Sequence, residues 1–274
     1  MGAIITLTTD FGLADGYVAA MKGVSLGINP DVNLVDICHT IEPRNIPQAA
    51  FVLSTVHEFF PRRTVHLVVV DPGVGTERKA IILRTPEADF VAPDNGVLSY
   101  VIQRYSSKEF SDNRYRLESG SELAAIAITD PQFWRSPVSA TFHGRDIFAP
   151  VAAHLSLGTP PAAFGEAIDS LEVLPLSHPG LEPDGALIGH ILHIDSFGNL
   201  ITSIRSQVLL GRTAITIAVA DKIIRGLSTT YGTGEGLLAL VGSSGHLEIS
   251  LRDGNAAAFL NAEVGDEIKI RTGR

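Results

Sequence analysis

The chain has 274 residues, of which 45% are hydrophobic and 19% charged, and a formal net charge of −9 from 30 acidic and 21 basic side chains. That composition excludes intrinsic disorder, which needs low hydrophobicity and high net charge, and it leaves no global basic field to hold nucleic acid. No run of 18 apolar residues is present, the first ten residues lack a basic n-region, and Cys38 is the only cysteine, so a protein without membrane span, signal peptide or internal disulfide is expected, in keeping with a reducing cytoplasm.

In chain order, residues 1 to about 170 alternate strand-like and helix-like segments. Ala3–Thr8 is a short apolar run and Gly16–Leu26 has helical apolar spacing. Val32–Ile37 reads as a strand, Ile46–Phe59 as a helix, and Thr64–Val70 as an almost wholly apolar strand covered on both faces. Ile81–Arg84 and Phe90–Ala92, split by Pro86-Glu87-Ala88-Asp89, read as a hairpin, and Asp146–Leu155 as a helix. The alternation predicts an α/β domain over 1–172. A Pro/Gly-rich stretch over 173–186 reads as a linker. Short β-rich runs follow over 187–274: Leu187–Ile194, Leu200–Ile204, Ala214–Val219, Leu237–Val241, Leu247–Ser250 and Glu267–Ile270. They predict a small barrel or sandwich.

Polar residues collect beside Gly and Pro where strands end: Thr9-Asp10-Phe11-Gly12, Asp71-Pro72-Gly73-Val74-Gly75-Thr76-Glu77-Arg78, Pro93-Asp94-Asn95-Gly96, Thr141-Phe142-His143-Gly144-Arg145-Asp146 and Asp195-Ser196-Phe197-Gly198-Asn199. Each has a backbone explanation, since Asp-Pro-Gly and Asp-Asn-Gly form turns and Asp caps helices. Together, at the carboxyl ends of strands, they point to a ligand cleft. Familiar signatures are missing. Gly73-Val74-Gly75 lacks a third glycine, no P-loop exists, and Gly242-Ser243-Ser244-Gly245 is not a nucleophile elbow.

These loops, with Met21-Lys22-Gly23 and Gly242-Ser243-Ser244-Gly245, resemble those of the S-adenosyl-L-methionine (SAM) hydroxide adenosyltransferases, the adenosine-forming SAM hydrolases related to SAM-dependent fluorinases and chlorinases. The resemblance spans nearly the whole chain in order and spacing. It implies a Rossmann-like α/β/α sandwich followed by a β-barrel, a homotrimer with sites at subunit interfaces, SAM as substrate, adenosine and L-methionine as products, and no cofactor or metal.

It also implies residue roles. Asp71, Arg78 and His143 match the family's water-holding set. Asp10 matches the ribose ligand, and Asp195 the partner of the methionine ammonium. Phe197 matches the adenine stacker and Asn199 the residue at the adenine edge. Ser243 falls at the methionine carboxylate and Tyr17 near the methionine end. Arg145 and Asp146 form an adjacent pair able to support the His143 loop. The halogenating relatives carry Tyr where Asp71 stands and Tyr-Ser where His143-Gly144 stands. A carboxylate repels halide in a partly dry pocket, so water is the expected nucleophile. The alternatives are a SAM- or nucleoside-binding module with little turnover, and a halogenase.

Overall fold

The computed structural model describes residues 2–106, 110, 112–118, 120–233 and 235–273. The chain divides into two compact units, Met1–Leu176 and Ser177–Arg274.

The first unit is built on β1 (Ile4–Thr9), β2 (Asn33–Cys38), β3 (Val65–Val69), β4 (Ala80–Arg84), β5 (Asp89–Pro93), β6 (Arg114–Arg116), β7 (Ala124–Ala127), β8 (Ala167–Ile168) and β9 (Ser170–Glu172). Seven of them form one sheet in the order β2-β1-β3-β5-β4-β7-β8, while β6 and β9 pair separately. β2, β1, β3 and β5 are parallel, and β4, β7 and β8 extend the sheet antiparallel. The expected hairpin is β4–β5, with Arg84 opposite Asp89 and ion-paired to it. β7 escapes a propensity reading because three of its four residues are alanine, a weak strand former.

Because successive strand residues face opposite ways, β3 divides between two cores. Val65, Leu67 and Val69 join Met21 of α1 (Tyr17–Ile28) and Val151 of α4 (Ala149–Ser156). Val68 and Val70 join Leu53 of α2 (Ile46–Ser54) and Ile102 of α3 (Ser99–Tyr105). The result is an α/β/α sandwich. Two expected helices are shorter than their periodicity. The Ile46–Phe59 segment stops at Ser54, where the Ser54 and Thr55 hydroxyls donate back to the carbonyls of Phe51 and Val52. The expected Asp146–Leu155 helix opens within a wide π-type turn over Gly144–Phe148, and α4 begins only at Ala149.

The second unit holds β10 (Gly180–Leu181), β11 (Leu187–Ile194), β12 (Leu200–Arg205), β13 (Thr216–Val219), β14 (Lys222–Arg225), β15 (Leu237–Val241), β16 (His246–Leu251) and β17 (Glu267–Arg271), with short helices α5 (Ser206–Leu209) and α6 (Ala256–Leu260). The antiparallel order is β14-β13-β17-β11-β12-β16-β15, with β10 on β11. β14 and β15 approach one another, so the sheet is nearly closed, and register shifts in β11 and β12 supply the bend. One continuous core fills it, including Ile191, Leu200, Ile217, Leu247 and Ile268. Among the described residues no helix is long and apolar enough to cross a membrane.

Candidate active site

β1 and β3 are neighbouring parallel strands with Thr9 opposite Val69, so their carboxyl ends deliver Asp10 and Asp71 side by side. The loop from Asp71 to Lys79 turns back so that Arg78 reaches Asp71. Arg78 Nε donates to Asp71 Oδ1 at 2.9 Å, and Arg78 Nη2 donates to Oδ2. Both side chains are buried, with 5% of Asp71 and 8% of Arg78 exposed. Gly75 makes this loop possible. It sits at φ +77°, and a Cβ there would lie 2.7 Å from the carbonyl oxygen of Ala140. The Asp71–Arg78 loop therefore backs directly onto the segment leading to His143.

His143 completes a contiguous group, since its Nδ1 lies 3.4 Å from Arg78 Nη2. Guanidinium nitrogens only donate, so Nδ1 accepts and the neutral imidazole carries its proton on Nε2. The Arg78 guanidinium also lies over the Phe148 ring, 5.2 Å from its centroid. Burial pushes the Asp71 carboxyl above its ordinary value of 3.8, and the Arg78 charge and hydrogen bonds only partly offset it. Burial, then the Arg78 charge, push the His143 imidazole below 6.5. The site thus holds a carboxylate more basic than usual beside an imidazole that stays neutral near pH 7.

Around this group lies an aromatic wall. Tyr17 packs against Phe142 with centroids 5.1 Å apart and against Phe11 at 5.7 Å. Gly144 fits beneath it, where a Cβ would meet Met21 Sδ and the Phe142 ring at 3.3 Å and the Phe11 ring at 3.4 Å. Asp10 is half-buried and accepts the Arg44 amide through Oδ2 at 2.8 Å. The Pro93-Asp94-Asn95-Gly96 loop acts as a brace. Asn95 Nδ2 donates to the carbonyl of Val70, which precedes Asp71, and Asp94 accepts the Glu172 amide.

The remaining residues singled out in the sequence lie together in the second unit. Asp195, Phe197, Asn199 and Ser243 line an open cavity of about 800 Å³. Asp195 organises its own turn, its Oδ1 accepting the amides of Phe197 and Asn199 and its Oδ2 accepting Asn199 Nδ2. One Asn199 Nδ2 hydrogen thus faces Asp195, and the other, with the side-chain oxygen, is left for a ligand edge. Gly198, at φ +82°, lies against the Asn255 side chain, where a Cβ would come within 2.1 Å. This turn projects Phe197 with 75% of its surface exposed. An aromatic ring that open is a stacking platform rather than a core residue.

Two cavity residues escaped the sequence reading. Glu248 is buried, and its Oε1 accepts the Tyr231 hydroxyl at 2.7 Å and the Ser250 hydroxyl at 2.9 Å. The Glu248 hydrogen bond, then burial, push the Tyr231 phenol up to about 12. The detectable signal was a charged residue inside the alternation of β16, where Glu248 stands between Leu247 and Ile249.

Comparison with known proteins agrees with both units. Residues 5–165 match the SAM hydroxide adenosyltransferase N-terminal domain, and residues 189–269 match the SAM hydroxide adenosyltransferase C-terminal domain. The chain is 36% identical over 273 residues to the (R)-S-adenosyl-L-methionine hydrolase of Salinispora tropica, covering 98% of each. It is 27% identical over 306 residues to the fluorinase of Nocardia brasiliensis, covering 98% of this chain and 97% of that one. A solved structure of an uncharacterized conserved protein from Thermotoga maritima superposes with a TM-score of 0.86 at 37% identity, covering 97% of this chain and 99% of that one.

Proposed function

Because the chain belongs to the SAM hydroxide adenosyltransferase family, we propose that it hydrolyses SAM to adenosine and L-methionine through a water held by Asp71, Arg78 and His143. The observation that carries this reading is the buried Asp71–Arg78 pair at the carboxyl end of β3, with His143 against it. A site that only binds a nucleoside has no need of a basic carboxylate beside a neutral imidazole donor.

The chemistry follows from the substrate. SAM carries a sulfonium, whose sulfur leaves C5′ as a neutral thioether, so no acid is needed at the leaving group. Catalysis reduces to holding a nucleophile in line behind C5′. Water is a weak nucleophile and must lose a proton as it attacks. The Nε2 proton of His143 orients the water oxygen, and Asp71 accepts the proton. The O–C5′ bond forms while the C5′–S bond breaks with its electron pair passing to sulfur. Arg78 holds the carboxylate and the imidazole in register and stabilises developing hydroxide character. His143 is the weaker candidate for base because its Nδ1 is occupied by Arg78. Gly144 offers no hydroxyl to a halide, and its packing against Met21, Phe142 and Phe11 leaves little room for one.

In the same reading Asp10 accepts the ribose hydroxyls, Phe197 stacks on adenine and Asn199 meets its edge. Asp195 pairs with the methionine ammonium, Ser243 takes the carboxylate, and Tyr17 borders the methionine end. Family resemblance supports a homotrimer in which one copy's first unit meets the second unit of its neighbour, and no cofactor is required. The test is incubation with each sulfonium epimer of SAM, with and without halide, followed by chromatography. Adenosine and methionine in equal amounts are expected. A 5′-halo-adenosine, or no turnover of either epimer, refutes the reading. Equal mixing of Asp71→Asn and Asp195→Asn subunits should restore part of the activity if copies share sites.

A further inference from the structure

Deeper than the three water-facing residues lies a charge that the reaction does not touch. Asp146 has no exposed surface, yet it is an acid three residues after His143 in the chain. Burying a carboxylate is costly unless it is fully paired, and this one is paired on every side. Its Oδ1 accepts Arg145 Nε at 2.7 Å and Arg135 Nη1 at 3.4 Å. Its Oδ2 accepts Arg145 Nη2 at 2.8 Å and the Ser139 amide at 2.8 Å. Burial works against the ionised form, but the Arg145 and Ser139 hydrogen bonds outweigh it and hold the carboxyl below its ordinary value.

The backbone of Asp146 joins the same knot for a reason written in the sequence. Pro150 has no N–H, so the carbonyl four residues before it, that of Asp146, receives no i+4 helical hydrogen bond. It accepts the Arg135 amide at 2.8 Å instead. One residue therefore ties down the strap 135–141 at Arg135 and at Ser139, through its side chain and its carbonyl. That strap carries Ala140, whose carbonyl is the surface against which Gly75 of the Asp71–Arg78 loop is moulded. It leads into the turn bearing His143. Arg145 adds a second tie, its guanidinium lying 5.1 Å from the centroid of Phe142 in the aromatic wall.

Resting on the hydrolytic reading above, we infer that Asp146 is a positioning residue: its buried carboxylate pins the strap at Arg135 and Ser139 and so sets His143 against the Asp71–Arg78 pair. A purely packing role would not need charge at this position. Removing the charge while keeping the shape separates the two. The charged groups that act on His143 are Arg78 and Asp71 from the neighbouring loop and Asp146 from its own turn, Arg78 lowering and the two acids raising its proton affinity.

The test is Asp146→Asn, with Arg145→Met as a second variant in which Arg135 and the Ser139 amide still pair the Asp146 carboxylate. The His143 ring resonances, assigned with a His143→Gln variant, are titrated by NMR. They report on the clamp whether or not SAM is turned over. Asp146→Asn should move the His143 midpoint down, because a nearby anion is lost. Arg145→Met should move it up, because the Asp146 anion, which raises it, loses its bidentate counter-ion. In the assay, Asp146→Asn should lower kcat by about 10- to 100-fold with KM within about twofold, as expected when a reacting group is displaced rather than a binding contact removed. If Asp146→Asn does not fold, the upward shift and reduced kcat of Arg145→Met decide the matter. A folded Asp146→Asn, or failing that Arg145→Met, with an unmoved His143 midpoint overturns the inference. Shifted midpoints in the variants, together with a wild type that does not hydrolyse SAM, would keep the clamp and reject the reaction.

Discussion

Replacing Asp71 by Asn tests the central ion pair in two independent ways. Asn is nearly isosteric, so it leaves the cavity filled. It can still accept from Arg78 Nε, as Asp71 Oδ1 does at 2.9 Å. Its amide hydrogens, however, face Arg78 Nη2, placing donor against donor. The pair is more than nine-tenths buried, and removing one partner of a buried pair costs about 3–5 kcal/mol because the other charge is stranded. Arg78 keeps His143 Nδ1 and the Phe148 face, so the lower end, about 3 kcal/mol, is expected. For a unit of this size that is a fall in Tm of about 6–12 °C, at about 2–4 °C per kcal/mol. Loss of the proton acceptor should cost about 10²- to 10⁴-fold in kcat. Thermal unfolding followed by circular dichroism measures the first, and chromatographic detection of adenosine under saturating SAM measures the second. A variant within about tenfold of wild-type kcat refutes Asp71 as the base. An unmoved unfolding midpoint refutes the buried pair.

Further outcomes follow from other parts of the molecule. Activity requires Asp71 ionised and His143 neutral. Burial raises Asp71 above 3.8, so the acid limb of kcat/KM should lie above that value, and a limb at or below pH 3.8 contradicts the assignment. Phe197→Ala should raise KM about 5- to 150-fold, since base–aromatic stacking contributes about 1–3 kcal/mol, while leaving Tm unchanged because the ring is exposed; a large Tm loss would mark it as structural. His66 is buried against Phe90, with its Nδ1 2.8 Å from the Thr6 hydroxyl, and burial pushes its pKa down from 6.5 to about 3. Its folded-state value is depressed, so the stability it supports is complete above pH 6.5 and is lost as pH falls toward 3. His66→Phe should flatten that decline by up to about 1.4 kcal/mol per pH unit, read from denaturant midpoints across the window; an unchanged slope would show that His66 does not drive it.

Much of this protein is legible from its residues alone. The apolar run of β3 announces a strand covered on both faces, and alternation of apolar and polar segments announces the α/β unit. The polar residues at strand ends announce a cleft, and their order along the chain identifies the family. These signals are local, carried by spacing within a few residues. The structure decided what depends on distant residues meeting. It brought Arg78 onto Asp71 and His143 onto Arg78, and it turned Asn95 from a candidate ligand contact into a brace on Val70. It also placed Glu248 and Tyr231 in the cavity with Phe197. The proton on His143 Nε2 follows only from which donor lies beside Nδ1. Asp146 shows the division most clearly. Its sequence neighbours Arg145 and Pro150 make an ion pair and an unpaired carbonyl foreseeable, but which strap they fasten, and which catalytic loop rests on it, is settled only when residues 135–146 pack against Gly75.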